Sequence, residues 1–139
     1  MNFAPVLTGN DKVLTIQSGF LSSFDITNKN IFWSDGKGYK GQPAFDGKFI
    51  YAVKNSRLIV LDQQGKQIWN WYKDNENIQS NIIVTDNLVF VSTQKNTYAI
   101  SKKTREAVWN VNVSGELAMG MGHLYILDVS GMLYSYKIS

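Results

Sequence analysis

His123 is the only histidine of the 139-residue chain, and there is no cysteine. A multi-histidine zinc site, a thiolate metal site, a cysteine nucleophile and a disulfide are therefore excluded. His123 has no obvious catalytic companion, and it holds a recurring position filled elsewhere by Lys12, Lys48 and Asn87. That column reads as a polar strand start rather than as a general base. The carboxylates Asp11, Asp25, Asp46, Asp62 and Asp86 fall at strand-turn junctions, with no D-x-D-x-D-G calcium loop among them. Turn formation is their expected work. Gly36, Gly38 and Gly41 in DGKGYKGQP are spaced like a phosphate loop, but Pro43 leads into a strand and no helix follows to supply an amide cradle. They are expected to form a loop between repeated units. The densest basic cluster, Lys102, Lys103 and Arg105 followed by Glu106, reads as a solvated hairpin turn over a phosphate site. Trp71 and Tyr72 in WNWYKDNEN have the chemistry to stack on a sugar or a peptide. If the segment is extended, Trp69 and Trp71 share one face, and packing is the expected role of the pair. The residues thus assign no catalytic, cofactor-binding or metal site.

The elements that must carry these side chains belong to a folded domain. Hydrophobic residues make up 44% of the chain and charged residues 18%, below the roughly 25% usual in soluble domains. This length suits a single domain. The 14 basic and 11 acidic residues leave a net charge of +3 spread along the chain, which gives no basic tract for a nucleic acid. Apolar runs such as Leu124 to Leu127 are far short of the roughly 20 residues that span a bilayer, so no membrane span is expected. Met1 to Thr8 lack the features of a secretory signal, and the compartment is left open.

Trp33, Trp69 and Trp109 recur at spacings of 36 and 40 residues. The segment DKVLTIQ from Asp11 returns as GKFIYAV from Gly47, DNLVFVS from Asp86 and GHLYILD from Gly122. Each copy continues through a polar turn to a second apolar run, respectively FLSSFDI, RLIVLD, NTYAIS and MLYSYKI, and the first three reach a Trp after a further turn. Short runs rich in Val, Ile, Leu, Tyr and Phe between turn residues are strands and hairpins. A further short strand precedes each copy, at Ala4 to Leu7, Pro43 to Phe45, Asn81 to Val84 and Leu117 to Met119. The chain is thus read as all-β, in four-stranded antiparallel units at about 4–41, 42–79, 80–115 and 116–139, the last incomplete. Units of this size that cannot bury both faces alone are blades of a β-propeller, with Trp filling the wedge between neighbours.

The stretch RLIVLDQQGKQIW, Arg57 to Trp69, resembles the repeat of the quinoprotein-like, pyrroloquinoline-quinone-type β-propeller family. FDITNKNIFW, from Phe24, keeps Asp25, Lys29 and Trp33, with Asn28 in place of Gly, whereas ISKKTREAVW, from Ile100, keeps the turn length and Trp109. The propeller of the outer-membrane assembly lipoprotein is similar to this family, and that resemblance implies a non-enzymatic protein-interaction or scaffold module. A ligand- or carbohydrate-binding propeller, or a cofactor-less fragment or subunit of a quinoprotein dehydrogenase, are the alternatives. The quinone enzymes use calcium, a stacking Trp, usually paired cysteines and most of an eight-bladed ring, so no cofactor is expected here. A protein partner and a homodimer forming an eight-bladed ring are expected, with a monomeric four-bladed ring as the rival. An extracytoplasmic location is compatible with the resemblance.

Overall fold

The computed structural model describes residues 5–9 and 11–138, and Ala4 and Ser139 of the expected units lie outside them. The described residues form strands and turns, and none forms a helix long and apolar enough to cross a membrane. Two compact units divide between Trp71 and Tyr72. In the first, β1 (Val6–Leu7), β2 (Lys12–Gln17), β3 (Phe20–Asp25) and β4 (Asn30–Asp35) make one sheet in chain order. Its second sheet is β5 (Tyr39–Phe45), β6 (Ile50–Lys54), β7 (Arg57–Leu61) and β8 (Gln67–Trp71). The second unit holds a four-stranded sheet of β9 (Ile83–Val84), β10 (Leu88–Ser92), β11 (Thr97–Ser101) and β12 (Ala107–Val111). Beside it lies a three-stranded sheet of β13 (Glu116–Gly120), β14 (His123–Leu127) and β15 (Leu133–Lys137). All pairing is antiparallel between chain neighbours.

The turn carboxylates explain why the strands stop where they do. Asp62 Oδ1 accepts the backbone N–H groups of Gln64 and Lys66, both at 2.9 Å, and Asp46 Oδ1 accepts those of Lys48 and Phe49 at 2.9 and 2.7 Å. Asp25 Oδ1 accepts Asn28 N–H at 3.0 Å. Each is a side chain closing its own turn. The left-handed residue of the Asp62 turn is Gly65, φ 85°, three residues on. In the corresponding turns it is Lys29, φ 58°, and Arg105, φ 64°, each four residues on from Asp25 and Ser101. These two turns are thus one residue longer than that of the second sheet, which corrects both the shared turn length and the pairing of Asn28 with Gly read from the repeats.

Register also corrects the repeat columns. Trp33 lies opposite Ser23, which faces Leu14 and through it Val6. The matching rows are Trp69–Val60–Tyr51–Ala44 and Trp109–Ala99–Phe90–Ile83. Leu14 therefore corresponds to Tyr51 and Phe90, one residue beyond the sequence alignment, and a one-residue slip exchanges the two faces of a strand. The loop expected at Gly36 to Gly41 is shorter too, because β5 already begins at Tyr39 and Gly41 falls inside it, where the pairing with β6 is broken.

Within each unit the Trp faces fill the space between sheets. Trp33 packs against a core of Leu14 and Leu21 from one sheet and Tyr39, Ile50, Ala52 and Leu61 from the other, and its Nε1–H donates to Gln63 O at 2.8 Å. In the second unit Phe90, Ala99 and Trp109 meet Leu117, Leu124 and Ile126. Trp109 stands edge-on to Tyr136, ring centres 5.4 Å apart, a favourable aromatic geometry.

Candidate functional site

The residues singled out by chemistry do not gather in one place. His123 opens β14, stacks on Tyr125 at 6.1 Å, and its Nδ1 lies 3.0 Å from Met121 O. Lys102 to Arg105 form the β11–β12 turn, and Gly36 and Gly38 precede β5. Trp69 is buried, Trp71 half-buried and Tyr72 exposed. Among the described residues no three His, Cys, Asp or Glu side chains stand together to hold a metal ion.

A cleft of about 480 Å³ does form within the second unit. Its walls are four short segments: Gln79 and Ser80 ahead of β9, Ser92 to Gln94 at the end of β10, Ser114 to Glu116 leading into β13, and Leu127 to Val129 at the end of β14. Hydrogen bonds fix these segments to one another. Asn81 Nδ2 donates to Leu117 O at 2.7 Å, and Leu117 N–H donates to Asn81 Oδ1 at 3.0 Å, so one side chain clamps two sheets. Ser92 Oγ accepts Gly115 N–H at 3.1 Å, while Ser80 Oγ accepts Ser92 N–H at 2.8 Å and donates to Asn81 O at 2.6 Å. Thr97 Oγ1 donates to Val113 O at 2.7 Å, tying β11 to the segment that follows β12.

Thr93 is held from behind by Glu76, whose carboxylate accepts the Thr93 hydroxyl at 2.6 Å and the Tyr98 hydroxyl at 2.8 and 2.9 Å. Burial alone would raise the Glu76 carboxyl, but the hydrogen bonds from Thr93, Tyr98 and Asn96 outweigh it and hold the group below its ordinary range. Across the cleft, Asp128 Oδ1 accepts Ser130 Oγ at 2.6 Å and the N–H groups of Ser130 and Met132. The Ser130 hydroxyl leads the causes that keep Asp128 below the usual carboxylate range.

Two features give the cleft a chemical character. Glu116 and Asp128 line it without a Lys, Arg or His among the lining residues, so it favours a cation. The Ser114 hydroxyl is buried in the lining with no hydrogen-bond partner, an uncompensated donor and acceptor. Leu127 and Val129, 43% and 100% exposed, add an apolar lip. Sequence reasoning missed the cleft because its Ser, Thr and Gln side chains read as ordinary turn residues, and only the packing of one sheet on the next brings residues 36 apart, Asn81 and Leu117, into contact.

No curated protein matches this chain. Among solved structures, the computationally designed Ika4 protein is similar over all of this chain and 92% of its own, with a TM-score of 0.82 at 10% identity. The Cps50 (Swd1) β-propeller domain of Myceliophteria thermophila gives 0.78 at 13% identity, this chain spanning 54% of it. Hsv2 of Kluyvelomyces marxianus gives 0.68 at 7% identity over 94% of this chain and 46% of that one. Likeness at such identities speaks for the fold alone, a β-propeller. A family model described as outer membrane protein assembly factor BamB matches residues 17–137, and the chain belongs to that family.

Proposed function

We propose that the chain is a non-enzymatic protein-interaction module, whose second-unit cleft takes a segment of a partner polypeptide carrying a basic side chain beside an apolar one. The observation that carries this reading is the lining itself, two carboxylates and an unpartnered buried hydroxyl beside an apolar lip. The family description, an assembly factor, agrees with a binding role. A basic group entering between Glu116 and Asp128 gains charge-assisted hydrogen bonds, while Leu127 and Val129 cover its aliphatic neighbour. A titration of isotope-labelled chain with short peptides of Leu-Arg-Val type, followed by amide shifts, tests it. Shifts confined to the four cleft segments, abolished when Arg is replaced by Glu and weakened by Glu116→Lys, are expected. Equal response to both peptides, or reproducible turnover of a substrate by the purified chain, would overturn the reading.

A second reading is self-association as a homodimer of eight blades. It is supported by an apolar row across the first sheet, Leu7–Val13–Phe24–Ile31, on the face opposite Trp33, in which Leu7 and Ile31 are 63% and 55% exposed. Leu127 and Leu133 are exposed on the corresponding free face of the three-stranded sheet. Exposed apolar faces of this kind are interaction surfaces.

A further inference from the structure

The second unit has two ends of opposite charge. The cleft gathers the end of β10, the start of β13 and the end of β14. The antiparallel order therefore carries the starts of β10 and β14, the β11–β12 turn and the last residue of β15 to the opposite end. Hydrogen bonds knit that end together: Lys102 N–H donates to Asn87 O at 3.0 Å, and Ile138 N–H donates to Gly122 O at 2.7 Å. Lys102, Lys103, Arg105 and Lys137 stand there against Asp86 and Glu106. Asp74, Glu76, Glu116 and Asp128 stand at the cleft end against Lys73 and Lys95. Charges that balance over the unit are thus sorted into a basic end and an acidic one.

Met121 projects from the basic end. It forms a two-residue turn with Gly122 between the paired Gly120 and His123, and both turn residues have positive φ, 51° and 75°. Turns of this kind take Asn, Asp or Gly, whose left-handed backbone costs little. A methionine there carries a strained backbone and is also 97% exposed. The corresponding turns of the second and third sheets begin with Asp46 and Thr85, whose side chains accept backbone N–H groups of their own turns. The thioether of Met121 closes no turn in this way, and strain kept where the fold gains nothing points to contact outside it. His123 follows Met121 directly, and Lys137 lies opposite His123 across the β14–β15 pair.

We propose that this end docks on an anionic lipid surface, with the Met121 side chain entering the headgroup layer and Lys102, Lys103, Arg105 and Lys137 set against lipid phosphates. Basic side chains around an apolar tip are the composition that such a surface holds. A lipid layer is favoured over an acidic polypeptide or a nucleic acid because a projecting tip needs a pocket in a folded partner, whereas a fluid layer closes around it. The acidic cleft is then turned away from the surface. The two sites lie at opposite ends of the unit, so either can fail without the other.

Flotation of the full chain with vesicles tests this, phosphatidylcholine containing phosphatidylglycerol against phosphatidylcholine alone. Binding to the first is expected in about 0.1 M salt and should be lost at about 1 M, where the screening length falls to about 3 Å. Lys103→Gln should weaken it about five-fold, the worth of one cation near such a surface. Lys95→Gln, the same loss of charge at the cleft end, should leave it unchanged. Met121→Asn should weaken binding by a similar factor yet raise the melting temperature, because Asn relieves the turn, whereas a merely structural Met121 would move stability alone. No flotation with either vesicle, equal flotation with both, or equal losses from Lys103→Gln and Lys95→Gln overturns the proposal. So does binding of a polyglutamate peptide or a DNA duplex that matches the vesicles and is indifferent to Met121→Asn.

Discussion

Trp69 is buried while Trp71, two residues on and on the same face of β8, is only half-buried. Trp69→Ala should therefore destabilise the chain by about 3 to 5 kcal/mol, the range for deleting a buried large aromatic, and Trp71→Ala by less. Equal losses in a urea titration would contradict the assignment of Trp69 to the packing column. That column was legible in the sequence because a large ring recurring at a near-constant spacing announces a recurring wedge. Glu76 was not, since a lone carboxylate in DNENIQS carries no periodic signal, and the hydroxyls that engage it lie 17 and 22 residues away. With its carboxyl held below the unfolded value, Glu76 contributes stability above the ordinary glutamate range, and this is lost as pH falls through the folded-state value. Glu76→Gln should accordingly lower the melting temperature at neutral pH and approach the parent in acid below that range. A deficit that stays constant from pH 7 to pH 3 would show that ionisation plays no part.

At the scale of elements, the hairpins separate backbone strain from packing. Gly65 and Gly131 both adopt left-handed backbone, φ 85° and 89°, but a Cβ on Gly65 would approach Trp33 Cδ2 to 2.6 Å, whereas one on Gly131 would meet nothing within 4 Å. Gly131→Ala should cost about 1 to 2 kcal/mol, the left-handed penalty for a side chain. Gly65→Ala should cost distinctly more, with Trp33 fluorescence altered in the native state, and similar losses in parallel thermal melts would refute the Trp33 contact. Strand number, hairpin order and the incomplete fourth sheet were readable from the repeats, and register was not. Ile50 to Val53 and Val89 to Ser92 are buried at every position, so neither run alternates, and hydrophobicity gives no sign of which face a side chain takes. The longer turns at Asp25 and Ser101 also set Trp33 and Trp109 one residue further beyond their third-strand partners, Ser23 and Ala99, than Trp69 stands beyond Val60.

For the molecule as a whole, the exposed rows on the first and fourth sheets predict a mass that depends on concentration. Sedimentation equilibrium should show a rise from 15.7 kDa toward twice that value, and Ile31→Asp or Leu133→Asp should shift the rise to higher concentration. A folded chain at 15.7 kDa throughout would dismiss the homodimer. What the sequence conveyed of this was the class of fold and the repeated blade. The cleft was hidden because it is made by loops whose residues meet only after the sheets pack. The meander order of every sheet also bears on the tempo of folding. Each strand pairs with its chain neighbour, so the loops closed in forming a sheet are short, whereas the bonds between sheets span 30 residues from Trp33 to Gln63 and 36 from Asn81 to Leu117. Loop-closure entropy places the meanders early and the docking of sheet on sheet late. Trp109→Ala should then steepen the loss of the native state by raising the unfolding rate, with the refolding rate nearly unchanged in a chevron plot. A refolding rate that falls as far as unfolding rises would mean that the indole is already enclosed at the summit of the barrier.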